Sequence, residues 1–470
     1  MLLPLPLAAS FLCVSTSLES LAAPAPAAQG GTFTTGQNIE LPAQTSSDAD
    51  HATLAINSSG DVFVAWSSRR PDLGDGALQV EGAYMYYRGA GLWDLPVAGV
   101  TQIILGAADA HVFTSGVEGC RKPDVLAAGG DFFVVWPRAS SDRLLQRVEG
   151  VRIVPDRVGG FFVDREAPGV GFPLDPLVDG LSAGIMPDLV EIPGYPLGVA
   201  VVYADDEIQE APHREYDLRY LRADFSVVPP LIDGPYVLED DFPFDDPPIG
   251  GEPVGGKILP DAVRDDSGNL VLAYEHYVRT GHQGATLNEG RVFVNWYADP
   301  GSTQPLKLAS AAFQGASAGN LVRRPNLATS RMDASDSISL AFAYAADGSA
   351  LADVGYHELT WDGVGIQSTD LGYPNLSSSS DTMPAPAHGI NLRLCFADRG
   401  SLSSPKLMSF LKSINGRLLQ VGTVARPWRP AVEVMEPAPA GSGASLYVPL
   451  TYEAPSVSGP LRVFLSITRL

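Results

Sequence analysis

Arginine, aspartate and asparagine side chains recur around a repeated proline, and these residue types could bind or process a sugar. The candidate ligand-binding residues are Arg121, Asp124, Asp188, Asp261, Arg323, Arg324, Asn326 and Arg429. Arginine binds carboxylates through two parallel N–H donors, and two carboxyl groups can supply the acid and the base that cleave a glycosidic bond. A structural interpretation stays open, because a polar residue that follows the proline four times can also cap a turn or join neighbouring sheets.

A second group of acidic residues lies in one loop and offers oxygen ligands of the kind that Ca²⁺ prefers. These residues are Asp240, Asp241, Asp245 and Asp246. The loop lacks the D-x-D-x-D-G spacing of known calcium loops, so we expect a solvated acidic loop and no cofactor, with Ca²⁺ as the alternative. G-x-S-x-G, H-E-x-x-H and C-x-x-C motifs are absent from the sequence.

The proline belongs to a repeat that must position these residues. Repeats begin near residues 51, 122, 186, 259, 324, 383 and 429. Each contains an apolar run, a Gly/Asp turn and a second apolar run that ends at an aromatic residue, as in "KPDVLAAGGDFFVVWPR". Val, Phe and Trp suit a pleated, packed surface, and the glycines suit a hairpin turn. The second run is almost wholly apolar, which predicts a strand buried on both faces.

Another pair of strands follows each hairpin, so we predict about four strands per repeat. Seven such units predict an all-β fold, a seven-bladed β-propeller of four-stranded antiparallel blades. The last repeat is one strand short, and we expect the strand at 32–41 to close the ring. Residues 29–470 would form this single domain. A β-sandwich array or two separate all-β domains are the alternatives.

The repeat resembles that of bacterial secreted β-propellers, whose blades carry a Pro-x-apolar, Gly-x-apolar-apolar, aromatic signature. It is also distantly similar to the sialidase-like, BNR-type propellers. Their Asp-box, S-x-D-x-G-x-T-W, is absent here, and the nearest local sequence is "NSSGD" from Asn57. The resemblance implies the propeller fold and says little about activity.

Composition restricts the location and the partners of the chain. Of 470 residues, 31 are Lys or Arg and 54 are Asp or Glu, giving a net charge of −23. This acidity argues against nucleic-acid partners and anionic membranes, which both require clustered Lys and Arg. Residues 1–28 read as a signal peptide, with an apolar run and an A-x-A site. We expect a secreted, extracellular or periplasmic protein without a transmembrane segment, whose Cys120 and Cys395 are two free thiols.

We therefore expect a secreted propeller that binds a protein or glycan ligand at its loop-rich channel face, rather than an enzyme. The first alternative is a sialidase-like glycoside hydrolase that uses the Arg/Asp cluster at the channel mouth. The second is a structural repeat module of a surface assembly. An enzyme requires converging carboxyl groups in a pocket, whereas a binding module requires only an exposed patch.

Overall fold

A computed structural model describes the chain as a succession of β-strands. The described residues are 31–41, 49–69, 78–107, 123–139, 146–156, 159–168, 170–175, 184–207, 215–239, 254–279, 287–299, 301, 304–313, 321–330, 337–345, 352–371, 381–389, 392–399, 406–412, 418–425, 428–432, 447–455 and 461–469. The signal segment at 1–28, Cys120, Arg121 and the acidic loop at 240–246 lie outside these ranges. Of Arg323 and Arg429 only the backbone is described.

The strands form antiparallel sheets that follow one another along the chain. Sheet 1 contains β3 (Ala49–Ile56), β4 (Val62–Arg69), β5 (Leu78–Met85) and β8 (Gln102–Ala107), and a small separate sheet contains β1 (Thr32–Thr34), β6 (Tyr87–Gly89) and β7 (Leu92–Asp94). Sheet 2 contains β9 (Asp124–Ala128), β10 (Asp131–Ala139), β11 (Gln146–Pro155), β12 (Phe161–Asp164) and β13 (Phe172–Pro173). Sheet 3 contains β14 (Gly184–Glu191), β15 (Gly198–Glu207), β16 (Glu215–Asp224) and β17 (Leu231–Glu239).

The remaining sheets repeat the four-stranded plan. Sheet 4 contains β18 (Val254–Arg264), β19 (Leu270–Arg279), β20 (Leu287–Ala298) and β21 (Leu306–Phe313), and sheet 5 contains β22 (Leu321–Thr329), β23 (Ser337–Ala345), β24 (Ala352–Trp361) and β25 (Ile366–Asp370). Sheet 6 contains β26 (Asp381–Gly389), β27 (Leu392–Arg399), β28 (Lys406–Lys412) and β29 (Leu418–Ala425). Sheet 7 contains β30 (Trp428–Val432), β31 (Tyr447–Pro455), β32 (Leu461–Arg469) and β2 (Asn38–Glu40). The all-β prediction is confirmed for the described part of the chain.

The second strand of each repeat supplies much of the core. In β10 the side chains from Phe132 to Trp136 are all buried, as the apolar run predicts. Trp136 packs with sheet 1 residues such as Phe63, and it lies over Gly106, where an added Cβ would come within 2.5 Å of its ring. Burying one such side chain contributes about 1.5–3 kcal/mol, so contacts between sheets stabilise the chain as a whole.

The repeated proline lies inside the first strand of its sheet, at a β-bulge, and not at the start of that strand as its position before the apolar run predicts. In β14, β18 and β22 the register shifts across the proline. The residues before it, Met186, Leu259 and Arg324, have positive φ angles of 52°, 51° and 55°. A bulge leaves a position without a ladder hydrogen bond, so proline, which has no N–H, fits there.

The first strands of successive sheets pack side by side, and β30 of sheet 7 also contacts β3 of sheet 1. The stretch at 32–41, predicted to be one strand, is two strands separated by a turn at Gly36. β1 pairs with β7, and β2 pairs with β32. No helix long and apolar enough to cross a membrane occurs in the described ranges. Cys395 is buried beside Val354 and Tyr356, as predicted.

Candidate functional site

The polar residues that follow the repeated proline make hydrogen bonds from one sheet to the next. The N–H of Leu189 donates to Asp124 at 2.8 Å, and the N–H of Ala262 donates to Asp188 at 2.7 Å. The N–H of Leu327 donates in the same way to Asp261 at 3.1 Å. Each donor follows the post-proline position of its own sheet, so the bond repeats with the blades. These contacts match the structural interpretation, and a ligand-binding role for the aspartates stays a prediction.

The asparagine and arginines of the predicted set contribute differently. The Asn326 amide donates to the carbonyl of Pro384 in sheet 6 at 2.7 Å, so it too links neighbouring sheets. The backbone N–H of Arg324 donates to Glu275 at 3.3 Å. Arg323 pairs with Ala343, and Arg429 lies in a bulge of β30. Arg121 and the four loop aspartates lie outside the described residues, so the predicted convergence of arginines at the channel mouth remains untested.

A different charged cluster lies in sheets 2 and 3, toward the end of each sheet at which its first strand begins. We call this end the bulge end, and we call the cluster the charged layer. Its members are Arg138, Arg147, Glu149, Asp175, Tyr203, Asp205, Asp217 and Arg219. Most of them occupy alternate positions of the second and third strands, and strand alternation puts such residues on one face.

In sheet 2 one carboxylate holds two arginines. Glu149 is fully buried, and its Oε1 accepts hydrogen bonds from Arg138 Nη1 at 2.7 Å and from Arg147 Nη2 at 2.6 Å. Arg147 Nε donates to the same oxygen at 3.0 Å. The side chains of Arg138 and Arg147 are 23% and 31% exposed. Sheet 2 therefore presents guanidinium groups to solvent above a buried anion.

In sheet 3 the arrangement is reversed, with one arginine between two carboxylates. Arg219 Nε lies 3.0 Å from Asp205, and its Nη2 lies 3.7 Å from Asp217. The O–H of Tyr203 donates to Asp175, which follows β13 of sheet 2, at 3.0 Å. The cluster therefore joins the two sheets through a phenol and a carboxyl group.

Burial controls the protonation of this pair. It raises the pKa of Asp175 to about 6, the Tyr203 hydrogen bond opposes that rise, and the charge of Asp205 adds to it. Burial, followed by the charge of Asp175, raises the pKa of Tyr203 far above its ordinary value. Tyr203 is therefore a phenol at all physiological pH values, whereas Asp175 changes protonation near neutrality. A carboxyl group with such a pKa can serve as an acid or a base.

The equivalent positions of sheet 1 are less charged. Glu81, which occupies the position of Glu149, accepts hydrogen bonds from Ser68 at 2.6 Å and from Gln79 at 2.7 Å. Arginine–carboxylate contacts at this position therefore distinguish sheets 2 and 3 from sheet 1. In the described ranges no three His, Cys, Asp or Glu side chains are grouped to hold a metal ion.

The sequence prediction missed the charged layer. A signal is present in "RLLQRVEG" and "EYDLRY", where charged residues alternate with apolar ones. Alternation alone reads as a solvated strand face. The register that places Arg138 opposite Arg147, and the fold that brings Tyr203 to Asp175, become visible only in three dimensions.

Comparisons with known proteins find similar folds. No known protein family and no curated protein matches the chain. A PL25 polysaccharide lyase, an ulvan lyase, has a TM-score of 0.52 at 10% identity, with 93% of this chain and 94% of that chain covered. The same type of lyase bound to -[GlcA(1-4)Rha3S]- has a TM-score of 0.51 at 9% identity, with 89% and 94% covered. A Penicillium chrysogenum arabinanase gives 0.41 at 12% identity, with 93% and 98% covered. The two lyase structures share the propeller fold with this chain.

Proposed function

We propose that this chain is a secreted seven-bladed β-propeller that cleaves an acidic polysaccharide at the bulge end of sheets 2 and 3. The contacts between successive first strands, together with the contact from β30 back to β3, support the ring. The pairing of β2 with β32 supports its closure by the N-terminal strand. The apolar segment with its A-x-A site supports export.

The charged layer is the observation that carries this proposal. Its arginines are partly exposed although the chain has a net charge of −23. A cationic site on an acidic protein selects a ligand that carries its own negative groups. A polysaccharide with carboxylate or sulfate groups meets that requirement, and the ligand of the similar lyase contains a glucuronate and a sulfated rhamnose.

Cleavage, rather than binding alone, is supported by the Tyr203–Asp175 pair and by the comparisons. The sequence analysis favours a binding module. The pair adds a phenol proton and a carboxyl group whose pKa is raised by burial to about 6, beside Arg219. Such a pair can move a proton during bond cleavage while arginines balance the negative charge. The solved structures of similar fold include polysaccharide-cleaving enzymes.

The test is a substrate panel of acidic and neutral polysaccharides. Hydrolysis gives new reducing ends only, whereas elimination next to a uronate also gives an unsaturated product that absorbs ultraviolet light. We expect cleavage of acidic polymers, and we expect Tyr203→Phe to lower the rate by about 100-fold or more, as for loss of an acid or base. Tyr452→Phe is the matched control, because Tyr452 is a buried tyrosine of sheet 7. Equal cleavage of neutral polymers, or full activity of Tyr203→Phe, would rule out this proposal.

Binding without cleavage is the second candidate. Its supporting observation is burial, because Tyr203 and Glu149 are fully buried and Asp175 nearly so. In that case the arginines would hold the polymer and the buried acids would only position them. Saturable binding of an acidic polymer without any new reducing ends would identify this function.

A further inference from the structure

Arg138 and Arg147 are directly opposite each other on β10 and β11. Like charges in directly opposed positions of an antiparallel pair destabilise a sheet. In the part of the chain that the structure describes, the ionic partner of both is Glu149. Two positive charges facing one negative charge leave a net charge of +1 at this point.

The hydrogen-bond donors of the two guanidinium groups are mostly unused by the described residues. Arg138 donates one N–H and Arg147 donates two, all to Oε1 of Glu149. A guanidinium carries five N–H donors in a planar fork. The remaining donors, on side chains that are 23% and 31% exposed, can therefore reach a ligand from solvent.

Glu149 makes this arrangement rigid. It is fully buried, and a buried carboxylate is stable only when cations and donors surround it. Both arginines meet at the same oxygen, while Oε2 accepts no hydrogen bond from the described residues. Both guanidinium groups are therefore fixed close together before any ligand arrives, which lowers the entropic cost of binding.

We propose that Arg138 and Arg147, held by Glu149, form an oxyanion subsite that binds a carboxylate or sulfate group of the polysaccharide. This inference rests on the proposed function for the identity of the polymer, but the subsite itself requires only an oxyanion. Arg138 and Arg147 bind the anion, and Glu149 is a positioning residue that orients both guanidinium groups.

The experiment is calorimetric titration of the full-length protein with sodium sulfate and with sodium glucuronate, at ionic strength held constant with sodium chloride. Glucose is the uncharged control ligand. The variants are Arg138→Gln, Arg147→Gln and the charge-preserving Arg147→Lys. Arg88→Gln is the matched control, because Arg88 forms an ion pair with Asp94 in the small sheet. Circular dichroism establishes that each variant is folded.

We expect saturable binding of at least one of the two anions and none of glucose. Each Gln variant should bind about tenfold more weakly or worse, since charge-assisted hydrogen bonds are lost. Arg147→Lys should be intermediate, because it keeps the charge and loses the fork, and Arg88→Gln should match the wild type. No anion binding by the wild type, or unchanged affinity in both Gln variants, overturns the subsite.

The outcomes also separate this subsite from the proposed function. Anion binding that requires the arginines, in a protein that cleaves no acidic polysaccharide, keeps the subsite and rejects the cleavage proposal. Cleavage with an unchanged KM in both Gln variants rejects the subsite and keeps the proposed function. A raised KM in both variants supports the two together.

Discussion

Asp175 illustrates how burial prepares a single carboxyl group for chemistry. It is nearly inaccessible, and its partner Tyr203 comes from the neighbouring sheet. Burial raises its pKa to about 6, so the folded protein keeps this proton to a higher pH than the unfolded chain does. The associated stabilisation is complete below about pH 4 and is lost as the pH rises through about 6.

Replacing this carboxyl group tests that account. Asp175→Asn keeps an oxygen to accept the Tyr203 hydrogen bond and removes the buried charge. We expect it to match the wild type near pH 4 and to be more stable above pH 7, by up to about 3 kcal/mol. Urea unfolding at several pH values measures the difference. A difference that does not change with pH would contradict the raised pKa.

Asp299 shows the opposite shift in a buried ion-pair network between sheets 3 and 4. Its carboxylate lies 2.6 Å from Arg222 and 2.6 Å from Arg264, and it also accepts the O–H of Tyr220. Burial acts to raise its pKa, yet Arg264, Tyr220 and Arg222 together lower it to about 2. Its stabilisation is therefore present above about pH 4 and is lost as the pH falls through about 2.

We expect Asp299→Asn to destabilise the protein by about 3–5 kcal/mol at neutral pH, because it leaves two buried arginines without their shared anion. Asp233→Asn is the control, since Asp233 also pairs with Arg222 but is 52% exposed. It should cost less than about 1 kcal/mol. Equal losses in the two variants, measured by urea unfolding, would show that the buried network has no special importance.

At the level of elements, the bulge with its proline is the repeated joint of the molecule. It places a positive-φ residue before the proline and a polar residue after it, and the polar side chain binds the backbone of the next sheet. The repeat of proline and aspartate is visible in the sequence. The bulge is not, because a proline at the start of a strand and one inside a bulge leave the same pattern.

Asp188 tests the inter-sheet bond of this joint. Asp188→Ala removes the acceptor of the buried Ala262 N–H, so we expect a loss of about 1–3 kcal/mol in the free energy of unfolding. Asp188→Asn keeps an acceptor oxygen and should lose less, as Asn326 occupies the same position in sheet 5. Thermal and urea unfolding measure both. An alanine variant as stable as the asparagine variant would exclude the bond as a significant contribution.

Most of the fold was predictable from sequence, and most of the charged layer was not. Strands such as β10 and β16 announce themselves by composition and turn signals, because burial on both faces requires a continuous apolar run. The charged layer depends on register and on contacts between sheets. Tyr203 and Asp175 are 28 residues apart in the chain, and no local rule brings them together.

At the scale of the whole molecule, the short strand β2 ties residues near the start of the described chain to sheet 7. Ile39 is buried, pairs with Leu465 and packs in the cluster shared by sheets 1 and 7. We expect Ile39→Ala to cost about 2–5 kcal/mol, as for other large-to-small core changes. Gln37→Ala, at an exposed turn position, should change stability by less than about 0.5 kcal/mol. Equal stability of the two variants in urea would argue against closure by this strand.

The central claim is that the charged layer at the bulge end of sheets 2 and 3 binds an acidic polysaccharide. A crystal structure of the protein with an acidic oligosaccharide tests it most directly. We predict a carboxylate or sulfate oxygen about 2.7–3.2 Å from a guanidinium nitrogen of Arg138, Arg147 or Arg219. An oligosaccharide bound at the opposite end of the sheets, with those three arginines touching only their own carboxylates, would contradict the claim.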